Sequence, residues 1–217
     1  MLITPQRGGS SVFFAATLSL PGMGPLATLL GCGIAGYALG SVSFSLLFAK
    51  AQGIDLRTIG SGNLGATNVG RALGKKTGLT VYFLDMAKGF VPACLGLWLI
   101  SPEAGVAGGA AAYLGHIWPI WLRFRGGKGV ATLSGAMLAL QPLGFVMAGL
   151  AWLLSVKLTG IVAIGSLVFG AMLPIAAWTL DYPDPVKFFA LGGGLFLFVT
   201  HRSNLQSLFS SKDRKNG

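Results

Sequence analysis

The chain has 217 residues, of which 53% are hydrophobic and only 10% are charged, and its formal net charge is +10. Because roughly 25% of the residues of a soluble domain are charged, this composition excludes an ordinary soluble fold and predicts an integral membrane protein. The positive charges lie in short loops between apolar stretches, which favours anionic headgroups or an anionic substrate, and not nucleic acid, as the partner.

Residues 1–22 fit no membrane helix. They contain one arginine, a nine-residue apolar core and the Pro21-Gly22 pair, and so short a core fits a weak signal peptide better than a membrane span. We therefore predict an N-terminal extension over residues 1–22 that is disordered or absent from the mature protein. A single membrane domain over residues 23–210 and a basic cytoplasmic tail over residues 211–217 are predicted to follow.

Apolar stretches then follow one another and predict an all-α protein of about seven membrane helices, some of them short. Segment 129–156 has 28 residues, more than the roughly 20 that one upright helix needs. The Gln141-Pro142 pair breaks it into a hairpin of two short helices, because proline ends or kinks a helix. The predicted spans are 25–50, 79–100, 105–122, the two halves of 129–156, 160–180 and 186–199.

Charge predicts the orientation of these helices, because short loops rich in lysine and arginine stay in the cytoplasm. If 129–156 were a single span, the loop at Lys157 and the basic tail would both lie outside. The hairpin instead places every basic loop on one side, so we predict an external N-terminus and a cytoplasmic C-terminus. The basic loops are 50–78, 123–128, Lys157 and the tail, and the opposite loops carry Glu103, Asp181 and Asp184.

The first motif is GSGNLGATNVGR, from Gly60 to Arg71. Its G-x-G-x-x-G opening matches a dinucleotide fingerprint, but such a site needs a strand before the glycines and a helix after them. Here a membrane helix precedes the motif, and the acidic residue at a suitable distance, Asp85, lies inside a predicted span. We therefore reject a dinucleotide site. Asp85 and Lys88 are spaced i,i+3, and we predict an ion pair that makes their burial tolerable.

The same motif suits a phosphate group. Backbone N–H groups of closely spaced glycines can form an anion nest, and the arginine fork matches phosphate oxygens. An ordinary turn rich in glycine and asparagine is the alternative that the residues leave open. The candidate phosphate ligands are Ser61, Gly62, Asn63, Thr67, Asn68 and Arg71.

The second motif is GHIWPIWLRFRGGKGVA, residues 115–131. It is not a Walker loop, because Leu122 and Gly129 stand where that motif needs glycine and serine or threonine. Residues 126–129 nevertheless open a predicted helix, where free N–H groups and a lysine favour an anion. A turn that carries a topology signal is the alternative, and His116 is as consistent with packing as with function.

The third motif is THRSNL, residues 200–205, in which His201 and Asn204 lie one helical turn apart. All three motifs fall on the predicted cytoplasmic side, so we predict that they form one site. None of their candidate ligands is a carboxylate, which Mg²⁺ would require, and we therefore predict an anion site without a metal.

These three stretches resemble the signature regions of the bacterial acyl-phosphate:glycerol-3-phosphate acyltransferases, the PlsY family. The resemblance covers the chain from about Met23 to the tail and leaves residues 1–22 without a counterpart. It implies an enzyme of the bacterial inner membrane whose active-site groove faces the cytoplasm. Such an enzyme transfers a fatty acyl group from acyl phosphate to the sn-1 hydroxyl of glycerol 3-phosphate, the first acylation of phospholipid synthesis. It releases phosphate, leaves lysophosphatidic acid in the membrane, and uses no cofactor, acyl-CoA or acyl-carrier protein.

The resemblance also implies residue roles. A first phosphate cradle would be formed by the first motif and a second by the glycines around Lys128, while His201 and Asn204 would position the acceptor or the oxyanion. The expected catalytic residues are Ser61, Arg71, Lys128, His201 and Asn204. The expected binding residues are Gly62, Asn63, Thr67, Asn68, Gly126, Gly127 and Gly129.

Most phospholipid acyltransferases carry an H-x-x-x-x-D pair, and this chain has none. Trp121 stands at the acid position after His116, and Gln206 stands there after His201. An acyl phosphate is already an activated anhydride, so positioning and charge stabilisation can do most of the work. The resemblance suggests that the substrate's own phosphate takes the proton.

Two other classes of function compete with an enzyme: a transporter or channel for a phosphorylated anion, and a structural subunit. Transporters tend to place their sites at the bilayer midplane, on broken helices of repeated halves, whereas this sequence shows no repeat and its motifs lie at one surface. Three motifs of site-like composition argue against a purely structural subunit. The oligomeric state stays open, with a monomer as the simplest expectation.

Overall fold

The computed structural model describes residues 24–213, with side chains described as far as residue 207. The predicted extension over residues 1–22 and most of the predicted tail lie outside the described residues. Within the described range the chain forms α-helices and two short 3₁₀ turns and has no strand, as predicted. The helices are α1 (Pro25–Gly40), α2 (Phe44–Ala51), α3 (Ala66–Leu73), α4 (Lys75–Leu99), α5 (Pro102–Ile117), α6 (Val130–Leu140), α7 (Pro142–Thr159), α8 (Val162–Thr179), α9 (Asp184–Thr200) and α10 (Arg202–Asp213).

Four helical segments of the described chain are long and apolar enough to cross a membrane. They are Pro25–Ala51, Lys75–Leu99, Pro142–Thr159 and Val162–Thr179. Many large apolar side chains on the outer surface are exposed, among them Leu26, Ile34, Trp98 and Leu158, as expected of a surface that lies in lipid. Inside the protein, small residues let helices approach closely. A Cβ on Gly36 of α1 would overlap the carbonyl of Gly108 in α5, so these two helices meet backbone to backbone.

The break predicted inside segment 129–156 is confirmed. Gln141 is non-helical, with φ of −144° and ψ of 72°, between α6 and α7, and Pro142 occupies the first turn of α7, where its missing N–H costs nothing. The 11 residues of α6 rise only about 16 Å, roughly half of a bilayer core of about 30 Å. Most of α6 is buried, so it is a short internal helix, and its first two residues are the last two of the second motif.

Two predicted spans differ from the structure. The first is interrupted at residues 41–43, between α1 and α2, and the third ends at Ile117 instead of Leu122. Pro119 explains the second case, because proline disfavours helical geometry in the residue before it, here Trp118. The first case has a tertiary cause: the Val42 carbonyl accepts a hydrogen bond of 2.7 Å from the buried ammonium group of Lys88 on α4.

Candidate active site

The first motif forms a tight loop that leads into α3. Gly60 and Gly62 have φ of 58° and 66°, a left-handed geometry that glycine adopts without strain. The hydroxyl of Ser45 on α2 donates a 2.9 Å hydrogen bond to the Leu64 carbonyl. The loop is therefore shaped by its glycine turns and is also anchored to α2 at Leu64.

Asn68 is the side chain that shapes this loop. Its Oδ1 accepts from the Ser61 N–H at 3.1 Å, and its Nδ2 donates to the carbonyls of Leu56 and Ile59 at 3.1 and 3.0 Å. Both donor hydrogens of this buried amide are used within the protein. The interpretation of Asn68 as a phosphate donor is thus replaced by a role in holding the loop.

Several other polar groups of the first motif face outward. Ser61, Thr67 and Arg71 are exposed and Asn63 is half-buried, and within residues 24–213 no hydrogen bond holds their side chains. Thr67 and Arg71 are spaced i,i+4 on α3 and therefore share a helix face. The Cδ of Arg71 lies 3.8 Å from the position of a Cβ on Gly60. The arginine stem thus lies beside the glycine turn, and its guanidinium is available for an anion.

The second motif folds back onto the end of α5. The N–H groups of Gly126 and Gly127 donate to the carbonyls of Ile117 and His116 at 3.0 and 3.1 Å. The expectation that these two N–H groups are free for a phosphate is therefore wrong. The reason is that the last carbonyls of a helix have no intrahelical donor, and the glycine pair supplies one. Gly129, with φ of 86°, leaves no room for a Cβ against the Tyr113 ring.

Lys128 joins the second and third motifs. Its Nζ donates to Oδ1 of Asn204, and its carbonyl accepts a 3.2 Å hydrogen bond from the hydroxyl of Thr200. Burial lowers the pKa of this half-buried lysine. An ammonium group has three donors, so Lys128 retains donors for a ligand while Asn204 orients it. Thr200 was missed by sequence reasoning, although it directly precedes His201 in the third motif.

His201 follows the end of α9 and is buried. Its Nδ1 lies 2.9 Å from the Leu197 carbonyl, and a carbonyl can only accept, so Nδ1 carries the proton and Nε2 is left as an acceptor. Burial, helped by the charge of Lys128 and opposed by the Leu197 hydrogen bond, lowers the pKa of His201 to about 4. The imidazole is therefore neutral near pH 7.

The structure brings the predicted residues together in two groups. Lys128, His201 and Asn204 form one group, around Thr200, and the exposed side chains of the first motif form the other. Within residues 24–213 no hydrogen bond joins the side chain of Ser61 or Arg71 to the first group. The loops of the first and second motifs nevertheless lie close together, because Leu64 lines the same small cavity as Gly126 and Gly127.

The predicted Asp85–Lys88 ion pair is confirmed. Lys88 Nζ lies 2.9 Å from Asp85 Oδ1, and both side chains are buried. His116, which the sequence left open between packing and function, is buried as well, with Nδ1 3.7 Å from the same carboxylate oxygen.

Comparison with known proteins gives one consistent result. The family model described as "Glycerol-3-phosphate acyltransferase" matches residues 30–211. A curated relative of that name from Sinorhizobium fredii is 41% identical over 206 residues, covering 94% of this chain and 97% of the relative. Another, from Aquifex aeolicus, is 38% identical over 181 residues, covering 82% of this chain and 94% of the relative.

Solved structures agree with this result. A crystal structure of PlsY (YgiH), an integral membrane glycerol 3-phosphate acyltransferase in its glycerol 3-phosphate form, superposes with a TM-score of 0.81 at 38% identity. The alignment covers 85% of this chain and 93% of that one. The lysophosphatidic acid form of the same protein gives a TM-score of 0.79 at 37% identity.

The environment of His201 predicts an unusual titration. NMR of protein labelled at the imidazole rings of its two histidines, with His201→Gln to assign the signal, should give a pKa of about 4 and the Nδ1–H tautomer at pH 7. Because the folded-state pKa lies below the ordinary value of about 6.5, the stability from the neutral ring is complete above that value. It is lost as pH falls toward the folded-state pKa. A pKa near 6.5 would contradict the buried geometry.

Proposed function

The chain belongs to the glycerol-3-phosphate acyltransferase family, and on that premise we propose that it transfers a fatty acyl group from acyl phosphate to the sn-1 hydroxyl of glycerol 3-phosphate. Family membership makes the chain an acyltransferase enzyme and not the transporter, channel or structural subunit that the sequence alone left in competition. The donor, the residue roles and the orientation in the membrane are parts of the proposal.

The observation that carries the proposal is the joining of the second and third motifs through Lys128. A half-buried ammonium group, oriented by Asn204 and tied through its backbone to Thr200, is a preorganised partner for negative charge. Such charge stabilisation is strongest where water is partly excluded. The free polar groups of the first motif, above all the guanidinium of Arg71, supply a second set of phosphate ligands of matching chemistry.

The proposed reaction is a single acyl transfer. The acceptor hydroxyl oxygen attacks the acyl carbonyl carbon, the bond from that carbon to the phosphate oxygen breaks, and phosphate leaves. Lys128 and Arg71 offset the negative charge of the two phosphates, and Lys128 is placed to stabilise the developing oxyanion. Inorganic phosphate and lysophosphatidic acid are the products.

His201 fits an orienting role in this scheme. Its unprotonated Nε2 can accept a hydrogen bond from the acceptor hydroxyl and so align it. With a pKa of about 4, the ring is a weak base compared with a phosphate dianion, whose conjugate acid has a pKa of about 6. The proton of the hydroxyl is therefore expected to leave with a substrate phosphate.

The membrane arrangement is also proposed. We place the protein in the bacterial inner membrane as a monomer with one domain over residues 23–210, preceded by the N-terminal extension and followed by the basic cytoplasmic tail. About seven membrane helices, some of them short, with the N-terminus outside and the three motifs and the C-terminus in the cytoplasm, are supported by the distribution of basic loops. The helical break at Gln141 supports this arrangement as well.

The activity is tested directly with purified protein in detergent. Acyl phosphate and glycerol 3-phosphate should give phosphate and lysophosphatidic acid in equal amounts, whereas acyl-CoA and acyl-carrier protein should not serve as donors. EDTA should leave the rate unchanged, because none of the candidate ligands in the three motifs is a carboxylate. Turnover with acyl-CoA alone would overturn the proposed donor, and loss on chelation that Mg²⁺ restores would overturn the metal-free site.

Arg71 provides the sharpest test of the first cradle. A hydrogen bond to a charged group is worth about 1.5–3 kcal/mol, and each 1.36 kcal/mol corresponds to about tenfold in rate, so Arg71→Ala should lose at least about 10–100-fold in kcat/KM. Arg71→Lys keeps the charge but not the fork and should also lose much of the activity.

Two matched controls accompany this test. Arg57 and Lys76 are exposed cations on either side of the first motif, and alanine at either should cost less than about fivefold, which is less than one such hydrogen bond. Steady-state rates at equal expression decide the matter. Equal, mild losses at all three positions would mean that the loop acts only as a diffuse positive field.

Reporter fusions test the topology. Reporters after Lys128 and after Asn204 should read cytoplasmic, and one between Asp181 and Asp184 should read external. An external signal after Asn204 would show that residues 129–156 cross the membrane only once.

A further inference from the structure

Three buried ionisable side chains have no part in the proposed reaction. Asp85 and Lys88 of α4 and His116 of α5 are 1%, 3% and 8% exposed. Lys88 Nζ lies 2.9 Å from Asp85 Oδ1, and the same carboxylate oxygen lies 3.7 Å from Nδ1 of His116. Burying such a pair is expensive, which raises the question of what the three residues, here called the α4–α5 cluster, hold in place.

His116, on one side of the cluster, contacts the loop that carries Lys128. The His116 carbonyl accepts the N–H of Gly127 at 3.1 Å, and a Cβ on Gly127 would overlap Nε2 of the imidazole. The ring is therefore enclosed between the Asp85 carboxylate and the backbone directly before Lys128. A shift of the imidazole away from the carboxylate would therefore bring it against that backbone.

The other side of the cluster reaches toward the first motif. Lys88 Nζ donates to the Val42 carbonyl at 2.7 Å, which fixes the break between α1 and α2. Ser45, in the first turn of α2, holds the Leu64 carbonyl of the first loop at 2.9 Å. Lys88, His116, Leu64 and Gly127 also line the same small cavity, so the cluster lies where the two loops meet.

We propose that Asp85, Lys88 and His116 are positioning residues that set the loop of residues 126–129, and with it Lys128, at a fixed place relative to the first loop. The proposal rests on the proposed function for the role of Lys128. In this proposal Gly127 packs against the imidazole of His116, and the Asp85–Lys88 pair holds the imidazole in that position. None of the three touches substrate.

A purely structural ion pair is the competing explanation, and kinetics separate the two. If His116→Ala merely destabilised the fold, the fraction of active enzyme and the apparent kcat would fall while KM stayed unchanged. If the ring positions Lys128, the surviving folded enzyme should bind its phosphate substrates more weakly. KM for glycerol 3-phosphate or for acyl phosphate should then rise by at least about fivefold, within the range of couplings measured between neighbouring residues.

A double-mutant cycle gives the decisive test. Gly127→Ala places a methyl group against the imidazole and should impair the enzyme, and adding His116→Ala removes the obstacle. The double variant should therefore recover at least about fivefold of the kcat/KM lost in Gly127→Ala. The matched control is Gly126→Ala, whose methyl would overlap the carbonyl of His116 and the ring of Pro119, so His116→Ala should not rescue it.

The same variants are also titrated with glycerol 3-phosphate alone by calorimetry, which separates this proposal from the donor assignment. If wild type binds glycerol 3-phosphate but does not turn over acyl phosphate, the proposed donor fails and the binding constants still test the cluster. Rescue of Gly127→Ala but not of Gly126→Ala supports the positioning role. The proposal would be overturned if the losses in kcat/KM simply multiplied when His116→Ala is combined with Gly127→Ala or with Gly126→Ala, and if KM and binding were unchanged in His116→Ala.

Discussion

Carbonyl groups exposed where helices stop are the constraint on which the site depends. A helix end leaves up to four carbonyls without a donor, and where such carbonyls are buried they need a partner within the protein. The His116 and Ile117 carbonyls lie at the end of α5 and accept from the N–H groups of Gly127 and Gly126, whereas the Val42 carbonyl, just past the end of α1, accepts from Lys88 on α4. At the end of α9 the Leu197 carbonyl already accepts from the His201 N–H at 3.0 Å, and Nδ1 of the same residue lies 2.9 Å from it. The second motif thus closes the end of α5, and Lys88 fixes the break after α1.

This constraint separates the polar groups that build the site from those left for a ligand. Asn68 and the N–H groups of Gly126 and Gly127 are used to hold loops. Within the described residues Arg71 and the remaining donors of Lys128 are not used in this way, and we propose these cationic groups as the phosphate ligands. Under the proposed function, charge stabilisation and positioning, and not a nucleophile or a base, would provide the catalysis, which suits a donor that is already activated.

The features that the sequence predicted are those with a local cause. The break at Gln141 follows from Pro142, and the Asp85–Lys88 pair follows from their i,i+3 spacing on one helix. The break near Val42 could not be read from its neighbours, because its cause, Lys88, lies 46 residues further along the chain. The use of the Gly127 N–H likewise depends on where α5 ends in space. The glycine, asparagine and cation content of the loops predicted phosphate binding. Which of their polar groups instead hold the loops together is visible only in the packed structure.

The central claim is that the three motifs form one site in which Arg71 and Lys128 face the two substrate phosphates. The most direct measurement is a structure of this protein with glycerol 3-phosphate and a non-hydrolysable acyl phosphonate bound together. The account predicts that one phosphate or phosphonate group lies within about 2.7–2.9 Å of the Arg71 guanidinium and the other within that distance of Lys128 Nζ. The hydroxyl of glycerol 3-phosphate should lie against Nε2 of His201. Both anions bound away from these side chains, or a pair of substrates held by the first motif alone, would contradict it.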